Sequence, residues 1–290
     1  MDVVDALYRL GGAASHRALI AATSRWHVKA AVDHGRIVRL GRGEYALPGI
    51  DDAVAEARRL GGLLSHTSAA LAHGWGVWRQ PQKPWVTVPA GRHVDRQRRR
   101  GARVVRQDVA ADGMLTAPLQ TVLDCARRLP FEEALAVADS ALRSSRVTGE
   151  ELIAAADALP RPGHARAVAR HATVLADNPF ESVVRAHCLQ VAGVDLRPQV
   201  EVAGYGRGDL VDVERALIVE CDSFGFHAGR SALLGDIERH NRAAAVGASL
   251  LRFGYEHAHR PEYIVETLEA WGRRPARPHR LLAVEREIAA

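Results

Sequence analysis

The chain has 290 residues, of which 47% are hydrophobic and 25% are charged, a composition that excludes a wholly disordered or fibrous protein. At roughly 150 residues per domain, this length predicts two domains and allows three. No apolar run approaches the roughly 18 residues of a membrane-spanning helix, so no membrane association is expected. The first residues are acidic and precede no apolar core, so the sequence also predicts no secretory signal.

Charge and cysteine content indicate which partners and which cellular compartment are expected. The 39 basic and 34 acidic residues give a formal net charge of +5, and the isoelectric point is near 9.5. This mild excess is compatible with a nucleic-acid partner, whereas the 5% aromatic content argues against proteins that bind single strands by stacking bases. Nearly all the basic residues are arginine, which indicates either a GC-rich genome or selection for phosphate contacts. The odd number and wide spacing of Cys125, Cys188 and Cys221 favour a reducing cytoplasm over a disulfide framework.

Residues 1–50 predict three helices followed by a β-hairpin. Apolar residues recur at helical spacing over 3–10, about 15–21 and 26–34, and strands at 37–40 and 44–47 flank a Gly-Arg-Gly turn. This order is typical of a winged helix, whose third helix enters the DNA major groove while the hairpin touches the backbone. A solvated helical face and a protein-docking module remain alternatives. The predicted DNA-binding residues are Arg25, His27 and Lys29 on the third helix and Arg36, Arg39 and Arg42 in the hairpin.

Residues 51–172 predict a mixed region of helices and strands. A helix starts at Leu64, a short strand covers 85–89, and alanine and leucine recur at helical spacing over 116–159. Between 92 and 106, seven arginines accompany a single acid, Asp95. This run either tracks a phosphate backbone or forms a solvated loop.

Three motifs of this region resemble the AbiEi-type antitoxins: LSHTSAA at 64–70, WVTVP at 85–89 and TVLDCAR at 121–127. That family joins a winged helix to a second domain and represses its own operon. The resemblance covers about the first 150 residues and implies DNA binding, with a cognate toxin as a protein partner. In this setting Ser65-His66-Thr67 is interpreted as a helix N-cap, since adjacent residues on a helix do not face one another.

Residues 173–275 predict the order helix, antiparallel strands, helix, strand, helix, which is an α/β sandwich with a mixed sheet, and 276–290 form a C-terminal tail. If the strands 209–213 and 216–222 meet through a tight turn, the numbers of paired residues sum to 429. Asp209 then lies opposite Glu220 with Cβ atoms about 5 Å apart, and Asp222 points to the same face. Opposed carboxylates repel one another, and a divalent cation with oxygen ligands offsets that repulsion. Strand-end acids splayed into solvent are the alternative.

The acids Asp209, Glu220 and Asp222 resemble the core of the PD-(D/E)xK nucleases. The segments around them, at 178–185, 198–200, 220–227, 236–241 and 250–253, resemble an endonuclease-like domain family related to the very-short-patch repair endonucleases. The resemblance implies that Asp209 and Glu220 hold Mg²⁺ or Mn²⁺. It also implies further site residues: Glu181 and Asp222 completing the acidic cluster, His227 as a general base or phosphate contact, and Asp236, Arg239 and Arg185 in support.

Two departures from that pattern bear on catalysis. Asp222 stands where the pattern usually has lysine, although relatives of this domain commonly carry the acid. Gly208 precedes Asp209 where the pattern more often has proline or an apolar residue. Simpler roles also remain open for three residues: Glu181 as a helix cap, Asp236 as a surface partner of Arg239, and His227 as a structural hydrogen-bonder.

The sequence therefore predicts an α+β or α/β protein with an N-terminal winged helix, a mixed α/β middle region and a C-terminal restriction-endonuclease-like α/β sandwich with a mixed sheet. The first functional hypothesis is a Mg²⁺-dependent endonuclease that hydrolyses phosphodiester bonds of double-stranded DNA in defence or repair, either as a monomer or as a homodimer. The alternative is an AbiEi-like antitoxin or transcriptional regulator whose nuclease-fold domain is catalytically inactive. A protein-interaction module without a nucleic-acid role is the third.

Overall fold

The computed structural model describes residues 1–10, 13–41, 43–222, 230–273 and 281–282. The chain forms two compact units, Met1–Val174 and Leu175–Ala290. Both units combine helices with β-sheets, so the protein belongs to the mixed α and β class. Within the described residues, no helix has both the length and the apolar character that a bilayer crossing requires.

The first unit begins with three short helices and a small antiparallel sheet. Its elements are α1 (Val3–Arg9), β1 (Ala13–Ser15), α2 (His16–Ala22), α3 (Arg25–Asp33), β2 (Val38–Gly41) and β3 (Glu44–Ala46). Asp2, Ser15 and Ser24 each accept a backbone N–H from the first turn of the helix that follows, which fixes the three helix starts. The strands pair in the order β1-β3-β2, so the expected hairpin gains a third strand that the sequence did not indicate.

A five-stranded sheet and a helical layer complete the first unit. The elements are α4 (Ile50–Leu60), β4 (Leu63–Leu64), α5 (His66–Ala72), β5 (Trp85–Val88), a 3₁₀ helix (Arg98–Gly101), β6 (Arg103–Arg106), β7 (Ala111–Asp112), β8 (Leu115–Thr116), α6 (Pro118–Arg128), α7 (Phe131–Arg143), α8 (Gly149–Asp157) and α9 (Gly163–His171). The strand order is β6-β5-β4-β8-β7. The expected helix start at Leu64 is wrong, because Leu64 pairs with Val86 on β5 and Leu115 on β8. That pairing satisfies its backbone in the sheet, and α5 begins two residues later.

His66 occupies a buried and strained position at the start of α5. Its φ is +50°, in the left-handed region that residues with a side chain rarely adopt. Its ring stacks on Trp85 with centroids 4.4 Å apart, and its Nδ1 lies 2.9 Å from the hydroxyl of Ser65. Ser65 is the N-cap residue of α5, as predicted, although its hydroxyl contacts the adjacent His66 ring and accepts no backbone N–H of the helix. Burial, reinforced by the charges of Arg128 and Arg127, lowers the pKa of His66 to about 3.

Asp124 on α6 is also buried, and burial raises its pKa where it lowers that of His66. Its side chain is 3% exposed and accepts a hydrogen bond from Gln120 Nε2 at 2.8 Å. Burial raises the pKa of Asp124 to about 6, and the Gln120 bond offsets only part of that effect. The acid therefore keeps its proton to a higher pH in the folded protein than in the unfolded chain.

The second unit contains a four-stranded mixed sheet flanked by helices. Its elements are α10 (Pro179–Cys188), β9 (Arg197–Val202), β10 (Gly206–Asp212), β11 (Leu217–Asp222), α11 (Arg230–Ala245), β12 (Ser249–Gly254), a 3₁₀ helix (Tyr255–His259) and α12 (Pro261–Gly272). The strand order is β12-β11-β10-β9, with β11 parallel to β12 and antiparallel to β10. Leu210 pairs with Val219 and Val211 with Ile218, so the predicted register, in which paired numbers sum to 429, is confirmed.

We expect His66 and Asp124 to act in opposite directions on the pH dependence of stability. The contribution of His66 is complete above pH about 6.5 and is lost as the pH falls toward 3, because its folded-state pKa is lowered. The contribution of Asp124 is complete below pH about 3.8 and is lost as the pH rises through about 6. Asp124→Asn removes the second effect, so acidification from about pH 6 to 4 should destabilise this variant more steeply than the parent, by up to about 1.4 kcal/mol per pH unit.

Urea unfolding of the whole chain across this pH range measures the difference. Asp52→Asn, at an exposed acid of α4 in the same unit, is the control and should give a profile parallel to the parent. Parallel profiles for Asp124→Asn and the parent would show that Asp124 is not the group that burial perturbs.

Candidate functional site

Two of the predicted acids face each other across the centre of the second unit's sheet. The register places Asp209 on β10 opposite Glu220 on β11, and the two carboxyl groups lie close enough for the charge of Asp209 to act on Glu220. Glu220 is 6% exposed, and its burial, together with the charge of Asp209, raises its pKa to about 7. Burial also raises the pKa of Asp209. Two carboxyl groups this close together, one buried and one partly buried, disfavour the state in which both are charged.

Tyr205 and Arg239 bind the same oxygen of Glu220. The Tyr205 hydroxyl and Arg239 Nη2 each donate to Glu220 Oε1 at 2.6 Å. Arg239 Nε also donates to the Tyr205 hydroxyl at 2.9 Å, and Nη2 to the Arg207 carbonyl at 2.7 Å. Arg239, which the sequence placed in a supporting role, thus brings a fixed positive charge from α11 onto Glu220. Tyr205 was not anticipated, since nothing in the local pattern distinguishes it within the β9–β10 turn.

Gln199 links Asp209 to Glu181. It lies on β9 opposite Asp209, and its Nε2 is 3.3 Å from Asp209 Oδ1 and 3.2 Å from Glu181 Oε2. The other oxygen of Asp209 accepts the backbone N–H of Cys221 at 2.8 Å. Gln199 has a φ of +55°, a strained value of the kind that recurs at functional sites. Gln199 was also missed from the sequence, where it was assigned only to a strand.

Glu181 serves as a capping residue as well as a neighbour of the acids. Asn178 caps α10 by accepting the N–H groups of Phe180 and Glu181. The Glu181 carboxylate in turn accepts the N–H of Asp177 at 2.9 Å and the side-chain amide of Asn178 at 2.7 Å. Glu181 therefore has the capping role that the sequence left open, and Gln199 also connects its carboxylate to Asp209.

Asp222 is paired with an arginine and, among the described residues, is not grouped with the other two acids. Arg252 on β12 donates from Nε and Nη2 to the two carboxylate oxygens of Asp222 at 2.8 and 2.9 Å, and from Nη2 to Asp236 at 2.9 Å. The expectation that Asp209, Glu220 and Asp222 share one corner is therefore wrong. The strand periodicity places Asp222 on the predicted face, but the parallel strand β12 supplies a counter-ion that the sequence pattern did not reveal.

The remaining predicted residues of this unit separate into distinct positions. Asp236 pairs with Arg252 and Arg239 with Glu220, so the alternative of an Asp236–Arg239 surface pair is wrong. Arg185 is buried on α10. His227 lies outside the described residues.

The donor set fits a hard divalent cation held by two carboxylates. In the part of the chain that the structure describes, no three Asp, Glu, His or Cys side chains are grouped as metal ligands. Mg²⁺ usually takes only one or two carboxylates and completes its shell with water and phosphate oxygens. Asp209 and Glu220 match that share, and a cation would relieve both the burial of charge and the repulsion from Asp209 that raise the pKa of Glu220.

Gly208 has a steric reason to depart from the nuclease pattern. A Cβ at this position would lie 2.6 Å from Val211 Cγ2 and 3.2 Å from Ile218 Cγ2. The close approach of these apolar side chains leaves no room for the proline or apolar residue that the pattern favours. The glycine therefore lets β10 pack tightly immediately before Asp209.

The predicted DNA-binding residues of the first unit lie on its surface but are partly engaged. Arg25, His27 and Lys29 are exposed on α3, although Lys29 forms an ion pair with Asp33 at 2.5 Å. Arg36 pairs with Asp2 at 2.7 Å. Exposed ion pairs are weak, so Asp33 and Asp2 do not prevent Lys29 and Arg36 from binding another anion. Of the two remaining predicted residues, Arg39 lies on β2 and Arg42 lies outside the described residues.

Comparison with known proteins adds little. No family model and no curated protein matches the chain. Among solved structures, the crystal structure of the RV2827C protein from Mycobacterium tuberculosis is similar at a TM-score of 0.30 and 16% sequence identity, over 59% of this chain and 80% of that one. A likeness at this TM-score carries no inference about fold or function.

We expect Gly208→Ala to destabilise the second unit by about 1–3 kcal/mol, the usual cost of overpacking a tight core. The added methyl group must displace Val211 or Ile218, which lie at the strand pairing that positions Asp209. Thermal unfolding measures the loss. Gly235→Ala on α11 is the matched control, because the described residues leave open space around that position, and there alanine should be neutral or slightly stabilising. Equal unfolding temperatures for the two variants would refute the steric explanation.

Proposed function

We propose that the protein binds double-stranded DNA and hydrolyses its phosphodiester bonds with a Mg²⁺ or Mn²⁺ ion held by Asp209 and Glu220. The observation that carries the proposal is that these two carboxyl groups, of which Glu220 is buried, lie opposite each other on paired strands, with the pKa of Glu220 raised to about 7. A sheet centre with only a structural role is filled by apolar side chains, as at the neighbouring Leu210 and Val219. Perturbed carboxyl groups of this kind concentrate at functional sites, where a cation or a proton resolves the repulsion.

The surrounding residues orient the two acids for this chemistry. A bound ion lowers the pKa of a coordinated water and neutralises charge that develops on the scissile phosphate. The backbone N–H of Cys221 and the amide of Gln199 fix one oxygen each of Asp209. Tyr205 fixes one oxygen of Glu220. Arg239 lies beside the same oxygen, where its guanidinium is suited to contact a DNA phosphate.

The proposed DNA contacts of the first unit centre on α3. The order of α1 to α3 and the sheet β1-β3-β2 supports a winged-helix interpretation of this part. Its exposed basic residues Arg25 and Lys29 suit phosphate contacts, which position a protein on the duplex. Trp26, 72% exposed on the same helix, adds an apolar contact of the kind that thymine methyl groups accept.

Plasmid cleavage tests the enzymatic proposal. We expect the protein to nick or cut plasmid DNA with Mg²⁺ or Mn²⁺ and to be inactive in EDTA. Asp209→Asn and Glu220→Gln should each slow cleavage by about 100-fold or more, because each removes a charged oxygen ligand while preserving the side-chain shape. Asp195→Asn is the control, since this acid of the same unit is 75% exposed and pairs only with Arg197 among the described residues. Undiminished cleavage by both test variants would exclude the proposed metal site.

A second function is favoured by the arginines that meet these acids. Arg239 pairs with Glu220, and Arg252 pairs with both Asp222 and Asp236, so two arginines offset part of the acidic charge without an ion. The absence of a lysine at position 222 points the same way. On this proposal the protein is an AbiEi-like antitoxin or transcriptional regulator with an inactive nuclease-like domain, and its partners are operator DNA and a cognate toxin.

Arg239→Gln distinguishes the two functions. If the acids form a metal site, removal of the competing guanidinium should tighten Mn²⁺ binding about tenfold, while cleavage slows because a phosphate contact is lost. Isothermal titration calorimetry measures the first effect. Arg242→Gln, at an exposed arginine of the same helix, should change neither. If the parent and Arg239→Gln both fail to bind Mn²⁺, the metal assignment is wrong and the regulator remains.

A further inference from the structure

The segment 95–102 of the first unit, here named the arginine turn, is anchored in the core at both ends. Val94, just before it, is 6% exposed, and Ala102, its last residue, is 9% exposed; both belong to the core cluster that contains Leu60. Between these anchors the side chains point into solvent. The exposed basic residues of the turn are Arg96, Arg98, Arg99 and Arg100.

Hydrogen bonds to backbone carbonyls fix the arginine turn against neighbouring elements. Arg59 at the end of α4 donates to the Arg98 carbonyl, and Arg98 Nη2 donates in return to the Arg59 carbonyl at 3.1 Å. Lys83 Nζ donates to the Arg100 carbonyl at 2.9 Å. Asp95 Oδ1 accepts the N–H of Gln97 at 2.7 Å and so caps the turn from within. A loop that is merely solvated would not require this set of contacts.

The positive charge of the arginine turn is left unbalanced. Asp95 is the only acid between residues 92 and 106, and its carboxylate is engaged with the backbone. Glu56, on the adjacent helix α4, is bound by both Nε and Nη2 of Arg59. Within the described residues, no hydrogen bond or ion pair engages the side chains of Arg96, Arg99 and Arg100. The turn therefore presents fixed cations with free donor groups.

We propose that the arginine turn binds the phosphate backbone of double-stranded DNA, as a contact surface additional to α3. The proposal rests on the DNA-binding part of the function proposed above. Guanidinium groups match phosphate oxygens in pairs, and a backbone already held in place loses less entropy on binding. The turn contains no exposed apolar residue, whereas segments that dock on membranes combine basic with apolar side chains. Because only phosphates are contacted, the contribution is independent of DNA sequence.

The dependence of DNA affinity on salt tests the proposal. Fluorescence anisotropy of a labelled mixed-sequence duplex, in EDTA so that no cleavage occurs, gives the slope of log affinity against log salt. Arg99→Ala combined with Arg100→Ala should reduce this slope by about 1.8, since each phosphate contact contributes about 0.9, and should weaken binding at about 0.1 M salt by tenfold or more. The control is Arg161→Ala combined with Arg170→Ala, which removes the same charge from exposed positions of the same unit and should leave the slope unchanged.

Equal slopes for the two double variants would overturn the role of the arginine turn, as would binding of anionic phospholipid vesicles in place of the duplex. The nuclease proposal is assayed separately, by plasmid cleavage and Mn²⁺ titration of the same preparations. If the double variant has a smaller salt slope but the parent never cleaves DNA, the arginine turn binds phosphate and only the nuclease proposal is refuted. If the parent cleaves DNA but Arg99→Ala with Arg100→Ala leaves the salt slope unchanged, only the proposal for the arginine turn is refuted.

Discussion

Two neighbouring carboxyl groups, one buried and one partly buried, are the interaction on which the arrangement of the second unit's site depends. Asp209 and Glu220 sit where adjacent antiparallel strands would otherwise carry apolar pairs, and burial raises the pKa of both. Donors from several elements converge on them to limit that cost: the Gln199 amide from β9, the Tyr205 hydroxyl from the following turn, and the Arg239 guanidinium from α11. Charge burial on this scale persists only when the surrounding structure compensates for it, so the sheet, the turn and the helix are all fixed relative to this pair.

The two acids that end β11 show how position decides chemistry. Glu220 and Asp222 point to one face, yet Glu220 is 6% exposed whereas the side chain of Asp222 is 32% exposed. Asp222 therefore forms a bidentate pair with Arg252 in a partly solvated setting, and its bonds help to raise the pKa of that guanidinium. Glu220 lies against Asp209 with a single arginine at one of its oxygens. A cation can bind Glu220 at this oxygen only if the Arg239 guanidinium moves away from it.

In the first unit the clustered charges are exposed arginines, whereas the buried titratable groups His66 and Asp124 lie apart from them in sequence. Its arginine turn is held by carbonyl groups and core anchors, so its guanidinium groups remain available to a polyanion. His66 and Asp124 are buried nearly completely, and burial shifts the pKa of each in the direction that favours its neutral form. The exposed arginines contribute to the long-range electrostatic potential of this unit.

Local patterns in the sequence determined the central geometry of the candidate site. Alternating apolar residues and a short turn predicted the pairing of Asp209 with Glu220, because strand periodicity and turn length leave a single register. The capping role of Asn178, the hairpin of β2 and β3 and the helix α3 followed from equally local signals. Only the tertiary structure decided four other features. They are the pairing of Asp222 with Arg252, the hydrogen bonds of Tyr205 and Gln199 to the acids, the two-residue strands of the first unit, and the contact between Ser65 and His66. Each of them depends on partners distant in sequence or on a strained backbone, which no periodicity encodes.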